Sequence, residues 1–155
     1  MTGTLVKIEE EVEDAQRGKY LAFSLGGETY GMEIQYVTEI VGMQKIIPFP
    51  GLPDYMKGII NLRGRVIPVM DMHLRLKQEP VSYTYRTSII IVTTAGTSVG
   101  LIVDRVKEVL SADDRSVTPP PEWKAEMRGG CIKGIGKSGG DIWLLLDCER
   151  LIGCE

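Results

Sequence analysis

His73 is the single histidine of the chain, so any Ser-His-Asp, Cys-His or imidazole-metal chemistry would have to run through that one residue. Between Met72 and Leu74, at the end of an apolar stretch, it reads as an ordinary packed or surface histidine. Cys131, Cys148 and Cys154 are odd in number and lack C-x-x-C spacing, which supports neither a disulfide framework nor a zinc site. All three are expected to be reduced, with Cys131 and Cys148 packed. The carboxylate pair Asp113-Asp114 stands before Arg115 and a proline run, as a loop would. The segment Gly134-Ile-Gly136-Lys-Ser-Gly139 matches the dinucleotide pattern G-x-G-x-x-G, but that motif must open a helix. Here the motif runs on into Gly140-Asp141 and five apolar residues, the signature of a glycine hairpin. A P-loop ending at Lys137-Ser138 would need its first glycine at position 131, which is Cys131. No catalytic set remains, and no metal or cofactor is expected; a small-molecule or nucleotide site built on the glycine loop 134–140 stays open as the alternative.

These residues must be positioned by a chain of 155 residues that is 43% hydrophobic, enough for a real core. No apolar run approaches the roughly 20 residues of a membrane helix, and the acidic start MTGTLVKIEEEVED is unlike a signal peptide, so a cytoplasmic location without membrane insertion is expected. The net charge of -3 argues against nucleic acid as a partner. Charge is unevenly spread: Glu9, Glu10, Glu11, Glu13 and Asp14 face only Lys7 in the first fourteen residues, whereas Lys57, Arg63, Arg65, Arg75 and Lys77 face only Asp71 across 57–77. The first stretch reads as a solvated tail. The second leaves a partner surface open.

An internal repeat organises the rest. Sliding the chain by 69 positions lays Tyr20–Val41 on Ile89–Leu110 without a gap, matching Gly27 to Gly96, Gly31 to Gly100, Val37 to Val106 and Glu39 to Glu108. A slide of 76 lays Lys57–Leu76 on Lys133–Ile152, matching Gly58 to Gly134, Gly64 to Gly140 and Asp71 to Asp147. The seven-residue difference is an insertion in the second half, placed at Thr118–Trp123.

Each half reads as about five short strands. Gly26-Gly27 and Ala95-Gly96 mark hairpins between Tyr20–Leu25 and Thr29–Met32 and between Ser88–Thr93 and Ser98–Val103. Further strands are predicted at Val41–Ile47, Gly58–Leu62, Arg65–Met70, Val106–Leu110, Cys131–Ile135 and Ile142–Leu146. Ile34, Val37 and Val41 predict a short helical turn, and Pro68 predicts an edge strand or a bulge. The runs Ile89–Val92 and Ile142–Leu146 do not alternate, so both their faces should be covered. Strands this short, with glycine turns, suggest small closed barrels. The predicted organisation is an acidic flexible extension (1–18), a first barrel (19–83), a second barrel (84–146) and a short C-terminal helix or tail (147–155).

The stretch KGIINLRGRVIPVMD (57–71), with Tyr30-Gly31, Val37-Thr-Glu39-Ile40, Val99-Gly100-Leu-Ile-Val-Asp104-Arg-Val106 and Gly134-Ile-Gly136, resembles the CheW family of bacterial chemotaxis adaptors over roughly residues 19 to 152. The resemblance implies a mostly-β fold of two tandem, internally duplicated five-stranded SH3-like β-barrels with short helical segments. It implies a non-catalytic adaptor at receptor arrays beneath the inner membrane, coupling the cytoplasmic tips of transmembrane chemoreceptors (methyl-accepting chemotaxis proteins) to the regulatory domain of the histidine kinase CheA. It places Glu39 and Arg63 in the receptor-coupling region, with Val37, Gly58, Gly100, Val106 and Val109 lining a groove between barrels, and Glu122 and Trp123 in kinase or array contacts. The same fold forms the regulatory domain of CheA itself and the front half of CheV-type adaptors, but neither a kinase domain nor a receiver is present in this sequence. A tight Leu62-Arg63-Gly64 turn should present Arg63 outward, within reach of Glu39.

Overall fold

A computed structural model describes residues 18–112, 116–120 and 130–153. Residues 1–17 of the acidic extension, Asp113, Asp114, Glu122, Trp123 and Cys154 lie outside these described residues. The chain forms strands β1 (Lys19–Leu25), β2 (Glu28–Glu33), β3 (Val37–Gly42), β4 (Met56–Leu62), β5 (Arg65–Asp71), β6 (Ser88–Thr94), β7 (Thr97–Val103), β8 (Arg105–Ser111), β9 (Val117–Thr118), β10 (Ile132–Ser138) and β11 (Asp141–Leu146). Two short helices, α1 (Met72–Arg75) and α2 (Cys148–Gly153), follow β5 and β11. Asp71 caps α1 by accepting from the backbone N–H groups of His73 and Leu74, and its repeat mate Asp147 accepts from Arg150 N–H in α2.

Two-residue turns join β1 to β2, β4 to β5, β6 to β7 and β10 to β11. All have both central residues at positive φ, as hairpin turns matched to strand twist require. Glycines fill most of these positions; Arg63 (φ 52°) and Ala95 (φ 48°) do not have that freedom.

The strand order is β8-β1-β2-β11-β10-β9 in one sheet and β3-β6-β7-β5-β4 in the other. Under the two slides of the repeat these are the same order. In each sheet the segment leaving the first strand turns back onto the last. β9, just after β8, pairs with β10, and Ile47, just after β3, exchanges two backbone hydrogen bonds with Ile59 of β4 at 2.8 and 2.9 Å. This return gives the SH3-like curl. The predicted strand Val41–Ile47 is therefore broken: β3 ends at Gly42 and pairing resumes only at Ile47.

Neither sheet belongs to one half of the chain. The boundary expected at 83/84 does not separate them, because β1 and β2 join β8 to β11, while β6 and β7 insert between β3 and β5. The halves have exchanged their leading hairpins. The joints are the parallel pairs β2 with β11 and β5 with β7. Pro68 consequently lies in an inner strand, against the expectation of an edge, and is tolerated because the β5–β7 ladder starts one residue later, at Val69. The predicted helical turn shrinks to a single 3-10 turn, Ile34–Tyr36, and Val37 already belongs to β3.

The unalternating run of β6 is explained by two cores. Ile89 and Ile91 point into a small core with Ile60, Leu62, Ile67 and Val69, inside one curled sheet. Ile90 and Val92 point the other way, into the larger core with Phe23, Leu25, Tyr30 and Met32. The exchanged hairpins thus fuse the two sheets through one shared core.

Candidate functional site

Glu39 lies on β3 opposite Ile91, beside a register shift that places Thr38 out of the ladder. Arg63 occupies the β4–β5 turn. The two strands stand at opposite ends of the sheet order, yet the Arg63 guanidinium donates to the Glu39 carboxylate, because the curl brings the ends together. The reach expected from the sequence is present. The Arg63 side chain remains 66% exposed while Glu39 is half-buried, and the carboxylate raises the Arg63 pKa further above its usual value. Ion pairing at this exposure orients side chains more than it stabilises the fold. Thr38 extends the polar face by sharing hydrogen bonds with the Ile91 carbonyl and the Thr93 hydroxyl, and Thr93 in turn meets Ser98, which accepts from Arg65.

The other candidate residues take different positions. Val37 and Val106 are half-buried and pack on the margin of the shared core, each at the start of its edge strand. Val109 is 54% exposed on β8. Gly58 and Gly100 are buried and present no side chain to a partner: a Cβ on Gly58 would drive into the Ile47 carbonyl, and one on Gly100 would stand 2.8 Å from Ile89 and Val69. Gly58 lets the Ile47 backbone approach β4, and Gly100 keeps β7 close-packed. Glu122 and Trp123 fall outside the described residues.

The residues that looked chemical are structural. Gly134 and Gly136 lie within β10, and the turn at Gly139-Gly140 leads directly into β11. A Cβ at Gly136 would collide with the Trp143 indole, so this glycine makes room for a buried tryptophan. The loop is a hairpin that runs into β11, so it offers no helix N-terminus of the kind a dinucleotide or P-loop phosphate site uses. His73 is buried, its Nε2 2.7 Å from Oδ1 of Asp104. Oδ2 of Asp104 accepts from Gly26 N–H at 2.9 Å, so the pair ties α1 to the β1–β2 turn. Sequence reading missed Asp104 as the partner, although the repeat block that contains it was visible. Cys131 and Cys148 are both buried, and burial pushes the Cys148 thiol up to about 12. Among the described residues no group of three His, Cys, Asp or Glu side chains converges as a metal set, and no helix is long and apolar enough to cross a membrane.

Comparison with known proteins agrees with this geometry. The model of the CheW-like domain matches residues 19–154. The chain is 34% identical to the chemotaxis protein CheW of Klebsiella aerogenes, covering 88% of this chain and 82% of the relative. It is 36% identical to the probable chemotaxis protein CheW of Rhizobium etli, covering 84% of each. In three dimensions it superposes on the scaffolding protein TtCheW of Thermoanaerobacter tengcongensis with a TM-score of 0.81 at 36% identity, covering 86% of this chain and 91% of that one. Shared sequence across both repeats, and a shared fold of two curled sheets, establish that the chain belongs to the CheW-like domain family of non-catalytic chemotaxis scaffolds.

Proposed function

We propose that this scaffold couples the cytoplasmic tips of transmembrane chemoreceptors to the regulatory domain of the histidine kinase CheA, working in the cytoplasm at receptor arrays. The observation that carries the receptor half of this reading is the Arg63 turn. Arg63 takes a left-handed backbone (φ 52°) where the sister turn uses Gly139 (φ 57°), and its side chain is held outward on Glu39. A non-glycine residue in that conformation is strained, and here the side chain it carries reaches Glu39. Val37 and Val106 at the core margin and exposed Val109 supply apolar surface for a receptor helix, while Gly58 and Gly100 act by keeping the strands beneath in place. Glu122 and Trp123, after the proline run, are assigned to the kinase or array contact, tryptophan being a strong interface anchor.

The test is titration of a receptor cytoplasmic fragment into the wild-type protein and Arg63→Glu, with kinase activation measured in parallel. Arg63→Glu faces Glu39 with a second carboxylate, so coupling should be lost while circular dichroism and melting stay near wild type. Adding Glu39→Arg should restore part of the affinity. Unchanged affinity and unchanged activation in Arg63→Glu would remove this turn from the receptor site.

A further inference from the structure

The duplicated fold contains the Glu39–Arg63 site twice, and the second copy lacks its arginine. Glu108 on β8 is the repeat mate of Glu39 and lies beside the same register shift in the ladder. The turn between β10 and β11 is the mate of the Arg63 turn, but Gly139 stands where Arg63 does in the sister barrel. Two neighbouring mates are also smaller: Ala22 replaces Ile91, and Ser138 replaces Leu62. A cleft of about 330 Å³, within the size range of a binding pocket, lies at these positions between β8 and the β10–β11 turn, with Trp143 in its lining. In the sister barrel Arg63 lies outward on Glu39, and the buried side chains of Ile91 and Leu62 stand at the positions of Ala22 and Ser138.

The lining of the cleft states what would fit. Trp143, Ala22 and Leu110 give it an apolar floor, and Glu108 and Asp141 stand exposed at its rim. Neither carboxylate has an ion-pair partner among the described residues. Among the described lining residues the cation is Lys107, whose Nζ is turned to Thr29 Oγ1 at 2.8 Å. Asp141 is the mate of Arg65, so the rim is more acidic here than in the sister barrel. A planar cation on a long apolar stem matches this arrangement: methylenes against the floor, guanidinium between the carboxylates.

We propose that the cleft between β8 and the β10–β11 turn is a receptor for an arginine side chain presented at a loop tip by a partner protein, which completes in trans the ion pair that Arg63 makes in cis. The molecule itself identifies the occupant. The same fold, at the same register, already shows an arginine on a two-residue turn docking on the matching glutamate. This inference does not depend on which partner Arg63 itself serves.

The test is an NMR titration of the isotope-labelled full chain with the peptide acetyl-Gly-Arg-Gly-amide, and with its citrulline counterpart, which keeps the shape but not the charge. The arginine peptide should produce saturable shifts at Glu108, Gly139 and the Trp143 indole N–H, with an affinity on the order of millimolar, as befits a single side chain. The citrulline peptide should not. Glu108→Gln should weaken binding by about tenfold or more. Gly139→Arg should abolish it by pairing with Glu108 in cis, as Arg63 does with Glu39, whereas Gly139→Asn, which tolerates the same left-handed backbone, should retain it. Equal binding of the citrulline peptide, shifts mapping to Glu39 instead of Glu108, or the absence of saturable shifts would each overturn the proposal. Glu108 is exposed, so its variant folds normally and the result stands even if Gly139→Arg is poorly behaved.

Discussion

The indole of Trp143 fits against Gly136 on one neighbouring strand and Gly31 on the other, where a Cβ would stand 2.7 Å from its Cε3. Trp143 is buried and stacks at a tilt on Tyr20, ring centroids 5.0 Å apart. The two glycines are therefore shaped by a side chain on a third strand. Gly136→Ala should overpack this site and lower stability by about 1–3 kcal/mol or more, read as a fall in melting temperature with unchanged secondary structure before melting. A variant as stable as wild type would show that the indole moves aside freely.

Asp104 joins α1 to the β1–β2 turn. One carboxylate oxygen meets His73 of α1 and the other accepts the Gly26 N–H in the β1–β2 turn. Asp104→Ala removes both interactions and leaves the buried imidazole without its partner. The expected loss is about 1–3 kcal/mol, together with faster hydrogen exchange at Gly26. Normal protection of that amide would mean another group holds the turn.

Much of the fold was legible because its signals are local. The pairs Gly26-Gly27, Ala95-Gly96 and Gly139-Gly140 announce hairpins, and the two ungapped repeat blocks announce a duplication. The apolar run Ile89–Val92 announces a strand covered on both faces. The partition of strands was not legible, since exchange rests on the parallel pairs Tyr30 with Leu144 and Val69 with Gly100, which join residues far apart and leave no mark in composition. The same limit explains Pro68, whose missing donor matters only if a neighbour pairs at that residue. At the site, Arg63 and Glu39 could be linked from turn chemistry, whereas the buried roles of Gly58 and Gly100 depend on backbone from other segments. The cleft at Glu108 was hidden because its lining, Gly139, Ala22 and Ser138 included, comes from separate segments.

Cys148 predicts an alkaline weakness. Burial, reinforced by the nearby Glu33 carboxylate, raises its thiol from 9.0 to about 12. The unfolded chain gives up this proton from about pH 9, while the folded chain keeps it to about 12. The folded state thus holds more protons across that interval, and stability falls as pH rises through it. Below about pH 9 the thiol is neutral in both states and contributes no slope. Tyr83, raised by burial and by its hydrogen bond to Asp71, acts in the same direction. Melting temperature against pH should therefore decline less steeply above about pH 9 in Cys148→Ala than in wild type, whatever the absolute cost of the cavity. Parallel curves would mean that the folded state ionises the thiol easily.

The exchanged hairpins make the two halves of the chain interdependent. Residues 19–83 contain β1 and β2 of one sheet but β3, β4 and β5 of the other, and without β6 and β7 the strand β3 has no ladder partner, leaving only the isolated Ile47–Ile59 bridge to the β5–β4 hairpin. What would remain is two separate hairpins and a loose strand, and an isolated hairpin is at best marginally stable in water. The shared core would lose Ile90, Val92, Leu101 and Val103 at the same time. A fragment ending at residue 83 should therefore show neither cooperative melting nor dispersed amide resonances, and the fragment starting at 84 should behave alike, since it lacks β1 and β2 between β8 and β11. Mixed together, the two should recover both properties, because the break falls in the exposed stretch between α1 and β6, where the backbone carries no ladder. Independent folding of either fragment would contradict the exchange and return the molecule to two sequential barrels.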